Sequence, residues 1–248
     1  MEDSKKESKA KNFIKRYCNN KLAVIGFFTL VLITLIVIIA PPFLPFSEAE
    51  IDPLAFNMPP SAKHLLGGDD VGRDVLSRLL YGGRVSLAVG IFSTAVSVIV
   101  GIPLGMLAAF YRGAFEVVVM RLSDIFMSFP STILILFLVS MFGPSIITVT
   151  VVIGVLGWPK FARQIYGSVL SIREKDYIEG AVAIGAKDKL IITRYILPNA
   201  VAPIFISITF RIASAIILES SLSFLGMGVQ PPAASWGNML YNAQSITI

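Results

Sequence analysis

This 248-residue sequence has one cysteine and one histidine, the side chains most used to hold transition metals. Cys18 stands alone in a basic stretch, so the sequence offers no disulfide framework, and an exposed or satisfied thiol is its expected state. His64 has no Cys or His neighbour, which argues against a zinc site. No G-x-x-x-x-G-K-[ST] occurs, so ATP is not bound here through a Walker A loop. H-E-x-x-H and G-x-S-x-G are missing as well, and no catalytic residue can be nominated. Charge is scarce too: 15% of residues are charged, against about a quarter in soluble domains.

What the sequence has is long apolar blocks, with 55% of residues hydrophobic. Residues 22–40 and 85–111 carry no charge. About 20 helical residues cross the roughly 30 Å hydrocarbon core, so each block is long enough to span. The full set of expected spans is 22–40, 85–110, 117–142, 145–159 and 200–225. Pro41, Pro42 and Pro45 end the first. Small residues at Ser86, Gly90, Thr94, Ser97, Gly101, Gly105 and Ala108 recur every three or four positions of the second, a stripe that admits a closely packed helix. Pro130 lies near the middle of the third, and Gly143-Pro144 breaks the chain after it. Residues 145–159 are short for a span, which leaves open whether Pro159 ends that helix or sits inside it. Trp158 is expected at a membrane interface.

The net charge of +5 is distributed as membrane topology requires rather than as a nucleic-acid patch. Seven of the 21 Lys/Arg fall in residues 1–21 and seven in 158–199. Placing the N-terminus, 111–116 and 158–199 inside puts fifteen on the cytoplasmic side and four outside, Lys63, Arg73, Arg78 and Arg84. The chain therefore divides into a basic cytoplasmic segment (1–21), a first span (22–40), an extracytoplasmic segment (41–84) and the remainder (85–248). Residues 158–199 form its cytoplasmic loop. In the outer segment, Asp69 and Asp70 precede apolar residues at 71, 75, 76, 79 and 80, which predicts a short interfacial helix with Arg73 and Arg78 on its wetter faces. Residues 226–248 read as polar, turn-rich and uncharged.

In the cytoplasmic loop, Tyr177, Ile178, Ala181, Val182 and Ile184 line one side of a short helix, with Lys175, Asp176 and Glu179 on the other. Gly185 ends it, and a second amphipathic segment covers 186–197. A helix this short needs a surface to pack on. Charges within the spans are expensive and often functional. Arg121 and Asp124, three apart, form an expected ion pair. Arg211 and Glu219 face either a transport pathway or a partner subunit.

Asp176-Tyr177-Ile178-Glu179-Gly180-Ala181, Gly185-Ala186 and Ile196-Leu197-Pro198-Asn199 resemble the cytoplasmic signature loop of ABC importer permeases. Gly67 to Arg78, Leu222-Ser223-Phe224-Leu225-Gly226, Val229-Gln230-Pro231-Pro232 and Ser235-Trp236-Gly237-Asn238 resemble the dipeptide/oligopeptide/nickel branch of that family. Glu179-Gly180-Ala181 departs from the usual Glu-Ala-Ala. The resemblance implies an all-α transmembrane bundle, with five spans here and a sixth missing after residue 248. It implies pairing with a second permease, two cytoplasmic ABC ATPase subunits that use ATP and Mg, and an extracytoplasmic solute-binding protein in a prokaryotic inner membrane. Asp176, Tyr177, Glu179, Gly180, Ala181, Gly185 and Ala186 would couple to the ATPase, while this chain binds no cofactor and hydrolyses nothing. Peptides are the implied cargo, with nickel or a metallophore as the alternative. An ion-coupled secondary transporter would need several midspan carboxylates, and only Asp124 and Glu219 are present.

Overall fold

The computed structural model describes residues 18–246, and among them the regular structure is helical. Helix α1 (Lys21–Ile39) is capped by Asn20, whose side chain accepts the Ala23 N–H. It is apolar on all sides and almost entirely exposed, as expected of a helix clothed by lipid. Its one buried residue, Val37, touches the neighbouring helix at Gly83.

Helix α2 (Val75–Tyr111) is 37 residues long, about 55 Å at 1.5 Å per residue. It starts well before the expected span because there is no separate interfacial helix: Asp74, not Asp69 or Asp70, is its N-cap, accepting the Ser77 N–H at 2.7 Å. Asp69 instead receives Arg73 Nε at 2.7 Å and lies 3.5 Å from Arg78 Nε. Both arginines are buried, contrary to the expectation of wet faces. The small-residue stripe is buried at every position. A Cβ at Gly101 would lie 2.6 Å from the Trp158 carbonyl, one at Gly105 2.1 Å from that of Ala162, and one at Gly90 2.6 Å from the Ile216 side chain. The stripe thus admits two helices at backbone contact distance.

Those helices are α5 (Ile146–Arg173) and α9 (Ala202–Phe224). Between α2 and α5 come α3 (Gly113–Ser128) and α4 (Ser131–Phe142), which meet at 89° across Phe129 and Pro130. The expected third span is therefore a sharply bent pair. Among the described residues four helices are long and apolar enough to cross a bilayer, five if the bent pair counts as one. Helix α5 runs well past residue 159, with Pro159 inside it and Trp158 buried rather than interfacial. After α5 come α6 (Asp176–Ala183), α7 (Asp188–Leu190), a π-helical turn (Ile191–Ile196) and α8 (Leu197–Ala200). Residues 226–248 contain a helix that the sequence reading missed, α10 (Trp236–Ile246), which packs on α9 and α2.

Candidate functional site

The short helix α6 is fixed at both ends. Asp176 and Glu179 stand in its first turn, where the helix dipole favours carboxylates. Its far end is a Schellman turn: Ala186 N–H donates to Ala181 O, Gly185 N–H to Val182 O, and Gly185 takes the left-handed φ of +76°. Ile178 and Ala181 are buried against Ile172, Ile191 and their neighbours. Tyr177, Val182 and Ile184 are exposed, by 45%, 59% and 85%, so the apolar side expected to pack as one is split. Ile178 and Ala181 anchor the helix, whereas Tyr177, Val182 and Ile184 are left over for something else. Glu179 and Gly180 are exposed with them, Ala186 is half-buried, and a Cβ at Gly180 would meet nothing within 4 Å.

A cavity of about 790 Å³ opens beside α6, bounded by the α2–α3 turn, the end of α5, and Glu179, Val182 and Asp188. The turn joins α2 to α3 through one residue, Arg112, at φ +57°. Arg173 braces it, reaching the Ala109 carbonyl at 3.4 Å and lying over the Phe110 ring. Tyr166 of α5 donates a short hydrogen bond to Glu116 of α3. Of the coupling candidates, Glu179 borders this cavity, beside the ends of α2 and α5.

The charges inside the bundle take three different settings. Glu219 is fully buried, taking Ser86 Oγ at 3.0 Å and Ser223 Oγ at 2.7 Å. Those hydroxyls in turn accept the Trp236 and Val229 N–H groups. Glu219 therefore ties α2, α9 and the segment leading into α10 within this chain. Arg211 does border an open groove between α5 and α9, with its Nη2 on the Ile153 carbonyl at 2.8 Å. The Arg121–Asp124 pair forms, but loosely at 3.9 Å and exposed, because Arg163 of α5 also binds Asp124.

Three features escaped the sequence reading. Lys160 lines the Arg211 groove, and Arg163 holds Asp124, because α5 continues beyond its expected end. His64 is buried, with Nδ1 2.9 Å from Asp74 and Nε2 3.4 Å from Asp52, its ring stacked on Phe46. Lys63, the Leu54 N–H and His64 hold the Asp52 carboxyl down at about 2. Among the described residues no cluster of three metal-ligating side chains forms. Cys18 is exposed.

Residues 101–248 match the family model described as "Binding-protein-dependent transport system inner membrane component". Residues 8–60 match the "N-terminal TM domain of oligopeptide transport permease C". The glutathione transport system permease protein of Pectobacterium atrosepticum is 40% identical over 95% of this chain and 78% of its own length. The dipeptide transport system permease protein of Alkalihalophilus pseudofirmus is 38% identical over 93% and 76%. Among solved structures, the inward-facing MetNI methionine ABC transporter aligns with a TM-score of 0.57, covering 68% of this chain and 82% of that one. At 22% identity that likeness bears on the fold alone.

Proposed function

This chain belongs to the family of binding-protein-dependent transport system inner membrane components, and from that premise we propose that it forms one half of the path of an ATP-driven peptide importer. A second, homologous permease supplies the other half. Two cytoplasmic ATPase subunits, using ATP and Mg, drive the pair, and an extracytoplasmic solute-binding protein delivers the cargo. The N-terminus and α6 lie on the cytoplasmic side, a placement supported by the excess of Lys and Arg there. Peptide is favoured over nickel because the relatives described above are named for dipeptide and glutathione.

The observation that carries the reading is the divided face of α6. Two of its apolar residues anchor it, and three more stand exposed beside Glu179, outside the long apolar helices. Such a helix fits a cleft on an ATPase, where nucleotide-driven closure would move it as a rigid body. The cavity next to α6 gives that movement room. Asp176, Tyr177, Glu179, Gly180, Ala181, Gly185 and Ala186 then form the coupling element, with Ala181 and Ile178 as its inner anchor.

The test is to express the chain with its ATPase and permease partners. Copurification is expected, and its consistent failure would remove the reading. Glu179→Lys, at an exposed position, should leave membrane insertion intact and abolish uptake of peptide. Normal uptake by that variant would exclude Glu179 from coupling. Gly185→Val forces a β-branched side chain to φ +76°, so it should disturb the turn and uncouple ATP hydrolysis from uptake. Unchanged coupling would show that the turn is dispensable.

A further inference from the structure

Helix α9 carries a polar row at Ser207, Arg211 and Ser214, offsets of four and seven that keep the three on one face. Facing it, Lys160 and Gln164 stand one turn apart on α5. Together they line a groove of about 300 Å³. Two cations border this groove, and no carboxylate among the described residues does. Two carboxylates of the bundle are occupied elsewhere: Asp124 holds Arg163, and Glu219 is enclosed by its serines.

Arg211 is held there by design of the backbone. Its Nη2 reaches the Ile153 carbonyl, and Gly157 provides the niche, since a Cβ at that position would fall 2.4 Å from Nη2. Its Nε is buried with no hydrogen-bond partner among the described residues. A guanidinium donor left unsatisfied in a low-dielectric span is costly, and ionisable groups in such helices face cavities and mark pathways. Arg211 lies nine residues into α9, about 13 Å along its axis from the start of a helix long and apolar enough to span.

We propose that the α5–α9 groove receives the carboxylate of peptide cargo, with Arg211 and Lys160 as its cationic partners and Gln164, Ser207 and Ser214 as its polar lining. This deepens, and rests on, the reading of the chain as a peptide permease. A planar guanidinium pairs with a carboxylate through parallel N–H donors, and the lysine adds a mobile positive charge. The volume suits a peptide terminus rather than a whole peptide, leaving the remainder to lie against the second permease.

The experiment uses the complete importer in neutral phosphatidylcholine vesicles. Uptake of one dipeptide as its free acid is compared with uptake of its C-terminal amide, each at saturating binding protein. The binding protein's own preference then cancels between permease variants. Lys160→Gln and Arg211→Gln should each lower the acid-to-amide ratio about tenfold, the loss of one charge-assisted hydrogen bond. Arg211→Lys should restore most of it, and Gly157→Ala, which displaces the guanidinium, should lower it partway. An unchanged ratio in both glutamine variants overturns the proposal, as does an equal slowing of both peptides, which signals a structural role. A ratio that moves only after anionic phosphatidylglycerol is added identifies a lipid site and also overturns it. If Arg211→Gln does not assemble, Lys160→Gln, at an exposed position, decides alone. A wild-type importer that carries no peptide refutes the peptide reading itself, and the groove assignment with it.

Discussion

Replacing Asp74 with alanine removes two hydrogen bonds that anchor the 41–74 segment to α2. One is the N-cap to Ser77, at 2.7 Å. The other is the 2.9 Å contact with His64, whose ring is 2% exposed and has, among the described residues, only Asp52, at 3.4 Å, as a second polar partner. Losing an N-cap costs about 1 kcal/mol. Leaving a buried imidazole nitrogen without its acceptor costs about 1–3 kcal/mol more. The sum, about 2–4 kcal/mol, corresponds to roughly 30- to 1,000-fold more frequent opening. The reporters are the Asn57, Gly67 and Val75 amides, which donate to Asp69, His64 and Gly67 carbonyls in this segment. Hydrogen exchange read by mass spectrometry should show them exchanging faster by that factor, while amides in the middle of α5 are unchanged. Asp74→Asn keeps an equivalent cap and an oxygen for His64, so its effect should stay below about tenfold. An acceleration under about threefold in Asp74→Ala, or equal effects of the two variants, would refute the assignment of Asp74 as the joint between loop and helix.

Acid should act on the same segment through Asp52. Its carboxyl titrates at about 2 in the fold, below the ordinary 3.8, so its stabilisation is fully present above about pH 4 and is lost as pH falls through 2. Protection of the Leu54 amide, which donates to Asp52 at 2.9 Å, should hold from pH 7 to 4 and decline only below that; a decline beginning near pH 6 would contradict the argument. Two glycines should respond oppositely to alanine. Gly180→Ala meets open space and gains helix propensity, raising stability by about 1 kcal/mol in a thermal scan, and any loss would count against the geometry of α6. Gly105→Ala drives a methyl into the Ala162 carbonyl at 2.1 Å and should lose about 1–3 kcal/mol in the same scan, with wild-type stability refuting the close α2–α5 contact.

The α2 stripe was legible because small residues at helical spacing carry one geometric meaning in a span, and all of them are buried, with its glycines where a neighbouring helix approaches. The bounds of α5 were not. Lys160 and Arg163 interrupt the apolar run, and hydropathy reads charge as an exit from the membrane. The fold keeps both charges within the helix by giving Arg163 a carboxylate and Lys160 a groove. Asp69 and Asp70 were misread for a related reason. Two acids before an apolar pattern look like a helix start, yet their neighbour Arg73 draws Asp69 into an ion pair and leaves the capping to Asp74. The short helix α6 was legible from the spacing of its apolar residues, but not its inner face. Over only eight residues, spacing could not decide that Ile178 and Ala181 turn inward while Tyr177 and Val182 turn out.

Helix α5 is a single rod of 28 residues, about 42 Å long, joined to α6 by only Glu174 and Lys175. On the proposed function, a thrust delivered to α6 would have almost no slack to take up before it reached the rod. The same rod carries Lys160 and Gln164, so a stroke at one end would displace a charged groove wall between a third and half of the way up. Its weakest rung is Pro159, which has no N–H to give the helical ladder and sits directly beside Lys160. A lever built this way bends, if it bends at all, at the place where cargo would feel it.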